Sequence, residues 1–80
     1  QKVVLHLLSP FDRLVQLDPI HPSQKLMKAP KEGVRIELKV HLTPELKNRI
    51  LSMGPACKVE APIVLQSEIK TLINSMKKLY

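Results

Sequence analysis

Val34, Ile36, Leu38, Val40 and Leu42 alternate with Arg35, Glu37, Lys39 and His41. Period 2 sustained over 34–42 predicts a strand with one buried face and one wet face. Lys2 to Leu8 reads differently. Val3, Leu5 and Leu7 would share one face and Val4, His6 and Leu8 the other, so both faces are largely apolar and the strand belongs at the centre of a sheet. Gln24 to Lys28 predicts another strand, stopped by Pro30 and turned at Gly33. Cys57, Val59 and Ala61 alternate with Lys58 and Glu60 in a short strand over 57–61.

Helical spacing occupies the remaining segments. Ser9-Pro10-Phe11-Asp12 carries a cap, a proline suited to the first helical position and an acid near the positive helix end. It predicts a short helix over 10–17 with Phe11, Leu14 and Val15 on one stripe. Asp18-Pro19 ends it, because a residue before proline is pushed out of the helical region. Thr43-Pro44-Glu45 repeats the start signal, Leu46, Ile50 and Met53 give a buried stripe, and Gly54-Pro55 closes a helix over 44–53. From Pro62, Leu65, Ile69, Leu72, Ile73 and Met76 keep helical spacing and predict a helix over 62–78.

The order is βαββαβ with a final helix. Helical crossovers make the first and second strands run the same way, likewise the third and fourth, while a hairpin joins the second to the third. An α+β, ferredoxin-like sandwich meets these constraints, with helices on one sheet face. The other face is left to a partner or to the last helix. Leu46, Ile50 and Met53 are expected to pack on Leu5, Leu7, Ile36 and Leu38, with Phe11 covering one end.

Composition narrows the class. Eighty residues suffice for one domain with a modest core. The single Cys57 excludes an internal disulfide framework and points to a reducing, cytoplasmic setting. No apolar run approaches the roughly 20 residues of a membrane span, so no membrane association is expected. The opening Gln1-Lys2-Val3 enters a strand directly, without a signal-peptide pattern, and reads as the start of a fragment. The formal charge is +6, and residues 1–24 balance Lys2 and Arg13 against Asp12 and Asp18, so the whole surplus lies in residues 25–80. Such a field favours anionic partners, although lysines also simply keep a small domain soluble. Phe11 and Tyr80, the two aromatics, make no base-stacking platform.

No catalytic constellation emerges, and an enzyme is not expected. His6, His21 and His41 lack metalloprotease spacing, one cysteine makes no zinc cluster, and Gly33 and Gly54 serve turns rather than a phosphate loop. Neither metal nor cofactor is expected. Cys57 beside Lys58 reads as a buried strand cysteine rather than an activated thiol. The exposed row Arg35, Lys39 and His41 is the leading binding face; the bland alternative is a solvated face with Glu37 as counter-charge. His21 either points a ring nitrogen into a site or bonds backbone in its proline-bound turn.

Four segments occur in order: His21-Pro22-Ser23-Gln24, Thr43-Pro44-Glu45-Leu46, Ile50-Leu51-Ser52-Met53-Gly54 and Lys58-Val59-Glu60-Ala61-Pro62. With the terminal helix ending in Tyr80, they resemble the C-terminal extension (WCX) domain of WYL-domain bacterial transcriptional regulators, over nearly the whole chain. The chain departs from that pattern at Arg49 and Met53, where the family often carries aromatics. The resemblance implies a ferredoxin-like fold and a single domain, 1–80, cut from a longer regulator whose winged helix-turn-helix and WYL domain are absent here.

The function it implies is ligand sensing and dimerisation within a DNA-binding parent. The expected partners are the WYL domain of the same chain, a second subunit, and an anionic effector such as a nucleotide or single-stranded nucleic acid. Expected contacts are Arg35, Lys39 and His41 on the sheet, with Ser23, Gln24 and Lys25 beside the HPSQ turn. Two alternatives stand beside this reading: an ACT-like small-molecule-binding regulatory domain, and a structural dimerisation module without ligand. An ACT domain would show a glycine-containing loop after the first strand, where this chain has Ser9-Pro10-Phe11-Asp12. An acylphosphatase-like enzyme would need an anion-cradling loop there too.

Overall fold

A computed structural model describes residues 1–29 and 31–80; Pro30, assigned above as the stop of the second strand, lies outside the described residues. Four strands and three helices follow one another as β1 (Lys2–Leu7), α1 (Phe11–Leu17), β2 (Lys25–Met27), β3 (Val34–Lys39), α2 (Pro44–Ser52), β4 (Cys57–Ala61) and α3 (Ile63–Lys77). The sheet order is β2-β3-β1-β4 and every pairing is antiparallel. β1 therefore runs with β2, and β3 with β4, as the crossovers require. The chain is an α+β protein built on a four-stranded antiparallel sheet.

The core follows from the alternation. Val3 faces Leu38 and Leu5 faces Ile36 across β1 and β3, while Leu5 faces Val59 across β1 and β4. Val3, Leu5, Leu7, Ile36 and Leu38 are all fully buried. The same cluster takes Val15 from α1, Leu46 and Ile50 from α2 with Met53 just beyond it, and Leu65 and Ile69 from α3. All three helices thus cover one sheet face, with Phe11 packed at the periphery. The last helix joins this layer, so it leaves the opposite face uncovered. Leu38→Ala would open a cavity at the centre of this cluster and cost about 2–5 kcal/mol.

Several boundaries differ from the sequence expectation, for local reasons. β3 ends at Lys39 rather than Leu42, because Val40 still bonds Gln1 through both backbone groups but His41 to Thr43 turn toward α2. β2 is three residues long, Lys25–Met27 rather than 24–28, and exposed throughout, as an edge strand. Ser9 does not cap α1: Pro10 occupies the cap position, and the Leu8 carbonyl accepts from Phe11 and Asp12 instead. The α2 start is as its sequence dictates, with Thr43 Oγ1 accepting from Leu46 N at 3.2 Å and Pro44 in the first turn. Gly54 closes that helix in the left-handed region at φ 59°.

The uncovered face carries Lys2, Val4 and His6 of β1, Arg35, Glu37 and Lys39 of β3, Lys25 and Met27 of β2, and Lys58 of β4. A β-bulge interrupts the β1–β4 ladder: Leu5 pairs with Val59 but Val4 pairs with Ala61, leaving Glu60 as the extra residue.

Candidate functional site

The connector between α1 and β2 is held by its own side chains. Gln24 Oε1 accepts from Ile20 N at 3.0 Å, and Gln24 Nε2 donates to the Val15 carbonyl at 2.8 Å, one of the carbonyls that the end of α1 leaves without a helical partner. Ser23 ties the same connector to the end of β3. Lys39 N donates to Ser23 Oγ at 2.9 Å, and Ser23 Oγ lies 3.2 Å from the Lys39 carbonyl to which it donates. Ser23 N donates to His21 Nδ1 at 3.1 Å, with Ser23 Oγ 2.8 Å from the same nitrogen. The bond from Ser23 N requires the tautomer with Nδ1 unprotonated, and the single Ser23 hydroxyl hydrogen, given to the Lys39 carbonyl, is then not also given to Nδ1. Ser23 and Gln24 are positioning residues, their polar atoms committed to the scaffold.

This bracing shapes a cleft of about 650 Å³ where the connector, the end of β3 and the start of α2 meet. His21, Lys39, His41 and Arg49 line it, with Glu45 the one carboxylate. Ile20, Val40 and Leu46 supply apolar wall. Lys39, His41 and Arg49 are exposed, and none of them takes part in an ion pair among the described residues. Unpaired cations and imidazoles over an apolar wall suit an anionic group carried on a partly apolar body.

Of the six residues assigned from sequence, Lys39 and His41 meet in this cleft and Ser23 stands behind it. The other three do not join them. Gln24 is bound inward. Lys25 lies on β2 opposite Glu37, on the uncovered face. Arg35 lies on that face as well, its guanidinium held by Glu60 with Nε to Oε1 at 2.5 Å and Nη2 to Oε2 at 3.2 Å. Its counter-charge is therefore Glu60, while Glu37 sits 3.7 Å from Lys2. Arg35 lowers the Glu60 pKa chiefly by hydrogen bonding to the carboxylate, and then by its charge with those of His6 and Lys58; desolvation opposes them.

His21, Glu45 and Arg49 line the cleft without being among those six. His21 bonds backbone through Nδ1, the second of its two alternatives, and also lines the cleft. Glu45 and Arg49 are four apart on α2, a spacing that puts them on one helical face beside the Leu46–Ile50 stripe. That spacing was the available signal.

Elsewhere, a groove of about 570 Å³ runs between the C-terminal parts of α2 and α3, lined by Ile50, Leu51, Cys57, Ile73 and Met76, with Lys77 at its rim. Burial pushes the Cys57 thiol up to about 12. Among the described residues, no three His, Cys, Asp or Glu side chains gather into a metal-holding group, and no helix is long and apolar enough to cross a membrane. No protein-family model matches the chain, and no curated protein matches it.

Proposed function

We propose that the chain is a non-enzymatic regulatory module that senses an anionic effector and takes part in dimerisation, the WCX-like C-terminal domain of a cytoplasmic bacterial WYL-family transcriptional regulator. The observation that carries this reading is the cleft in which Lys39, His41, His21 and Arg49 converge without an ion-pair partner among the described residues. The strand order β2-β3-β1-β4, with helices on one face, supports a ferredoxin-like assignment. The effector is a nucleotide or short single strand, and it acts by its differential affinity for two dimer arrangements.

Binding is expected to be weak and salt-sensitive, because the attraction is largely electrostatic. The test is titration of the chain with a nucleotide and with a short oligonucleotide at two salt concentrations. Lys39→Gln with Arg49→Gln should weaken binding and flatten its salt dependence. Arg35→Gln should change neither, since that guanidinium faces Glu60. Equal affinity and equal salt slope in the Lys39/Arg49 variant would end the reading.

The apolar groove between α2 and α3 favours a second reading, dimerisation without a ligand. Ile73 is 50% and Met76 48% exposed there. Sedimentation of the chain and of Ile73→Asp separates the two: a dimer lost on that substitution, with no nucleotide response in either protein, supports the ligand-free module.

A further inference from the structure

The cleft holds one group that an anion site alone would not call for. Glu45, in the first turn of α2, lines it together with Lys39, His21 and Arg49. Among the described residues its carboxylate enters no ion pair, although cations line the same cleft. An uncompensated carboxylate repels a purely anionic occupant, unless that occupant brings a donor for it. The size and walls of the cleft bear on the occupant too. About 650 Å³ falls within the range of small-molecule sites. Ile20, Val40 and Leu46 form its apolar wall, whereas Phe11 and Tyr80 line other depressions. A strand-binding surface would instead offer a groove tracking the backbone and aromatic faces for successive bases.

We infer that the effector is a single nucleotide-sized phosphorylated molecule, not a strand, whose non-phosphate part carries a hydrogen-bond donor that Glu45 accepts. This rests on the reading of the cleft as the effector site. The phosphoryl group faces Lys39, Arg49 and His21. The body lies on Ile20, Val40 and Leu46. The donor, an exocyclic amino group of the base or a hydroxyl of the sugar, meets Glu45. Glu45 is then a specificity-determining residue: it is exposed in the free chain, and a ligand lacking the donor covers the carboxylate without replacing its water.

Titrations followed by backbone amide shifts test this with four probes. They are adenosine monophosphate, purine riboside monophosphate lacking the amino group, dideoxyadenosine monophosphate lacking the sugar hydroxyls, and a short oligodeoxyadenylate. The wild-type chain should bind one of the two donor-deficient analogues about tenfold more weakly than adenosine monophosphate, the loss of one charge-assisted hydrogen bond. Which analogue suffers identifies the donor. Glu45→Ala should bind all three mononucleotides alike, with shifts still at His21 and Lys39. Equal wild-type affinities, a preference that survives Glu45→Ala, or a strand bound more than about tenfold tighter than the mononucleotide would each overturn the inference while leaving an effector site in place. Binding of none of the four would remove the site itself and the inference with it.

Discussion

Arg35 on β3 reaches across the central strand β1 to Glu60 on β4 and holds both of its carboxylate oxygens, at 2.5 and 3.2 Å. Alternation from Lys58 through the buried Val59 brings Glu60 to the uncovered face, and Glu60 is also the residue that the bulge opposite Val4 and Leu5 leaves without a ladder partner.

The tie has a pH signature. The Glu60 pKa is lowered in the folded chain, mainly by the Arg35 hydrogen bond. A depressed acid contributes stability above its unfolded value, about 4.3 for a glutamate, and loses it as pH falls through the folded value. Both side chains are about a quarter exposed, 27% and 23%, so solvent screening keeps the contribution small. Arg35→Met should therefore cost about 0.5–1 kcal/mol at neutral pH, and progressively less as the pH falls below about 4. Urea midpoints for both proteins at pH 7 and pH 3 check it. A penalty equally large at both would assign the loss to packing of the arginine stem instead.

The two glycines should respond differently to the same substitution. Gly33 has φ 81°, and a Cβ there would lie 2.1 Å from the Leu7 backbone carbonyl oxygen and 3.0 Å from the Leu8 side chain. Gly54 has φ 59°, but its Cβ would meet open space. Gly54→Ala should cost only the left-handed conformation, about 1–2 kcal/mol. Gly33→Ala adds a backbone collision on the central strand and should cost clearly more. Denaturation midpoints rank them, and a Gly33→Ala chain as stable as Gly54→Ala would refute the close approach.

Strand patterning was legible because alternation is a local property of the chain. Val34, Ile36 and Leu38 of β3 and the odd positions of β1 lie on the buried face, and the Thr43-Pro44 start placed α2. What was not legible depends on distant partners. Nothing near Arg35 in sequence says that Glu60, 25 residues on, will occupy it. Ser23 and Gln24 stood out in the sequence as polar residues of a turn, yet their roles come from Lys39, Ile20 and Val15. The cleft needed three separate segments: of the row read along β3, Lys39 and His41 line it and Arg35 does not. Alternation sends Arg35 and Lys39 to one face; the turn after Lys39 then carries His41 away from it.

Cys57 should be slow to alkylate. Its thiol is half-buried, and burial raises its pKa to about 12, while Lys58 points to the opposite sheet face and offers no activation. Against the ordinary value of 9.0, the thiolate fraction at neutral pH falls by about three orders of magnitude. Iodoacetamide labelling of the folded chain should accordingly lag that of the urea-unfolded chain by at least about a hundredfold. Equal rates would show an accessible thiolate and reopen the possibility of a reactive role.

Ser23 offers the sharpest separation between shaping the cleft and touching its occupant. Its hydroxyl accepts from Lys39 N and donates to the Lys39 carbonyl, and its backbone N–H holds His21 Nδ1. Ser23→Ala removes the first two bonds and keeps the third. The Lys39 backbone groups, which are exposed, then turn to solvent, so the stability cost is that of ordinary hydrogen bonds, about 0.5–1.5 kcal/mol. The Lys39 amide, released from Ser23 Oγ, should exchange with solvent faster, an effect local to the end of β3. Because Lys39 and His21 are no longer held side by side, affinity for an anionic effector should fall several-fold although Ser23 itself never touches it. Ser23→Thr keeps the hydroxyl and should restore both the slow exchange and the affinity. Gln24→Ala supplies the contrast: it frees the Val15 carbonyl and Ile20 N and should lower stability, while the Ser23–Lys39 bonds and the Lys39 exchange rate stay as they are. A Lys39 amide that exchanges equally slowly in Ser23→Ala would mean that the serine does not hold the strand end, and any affinity change would then need another cause.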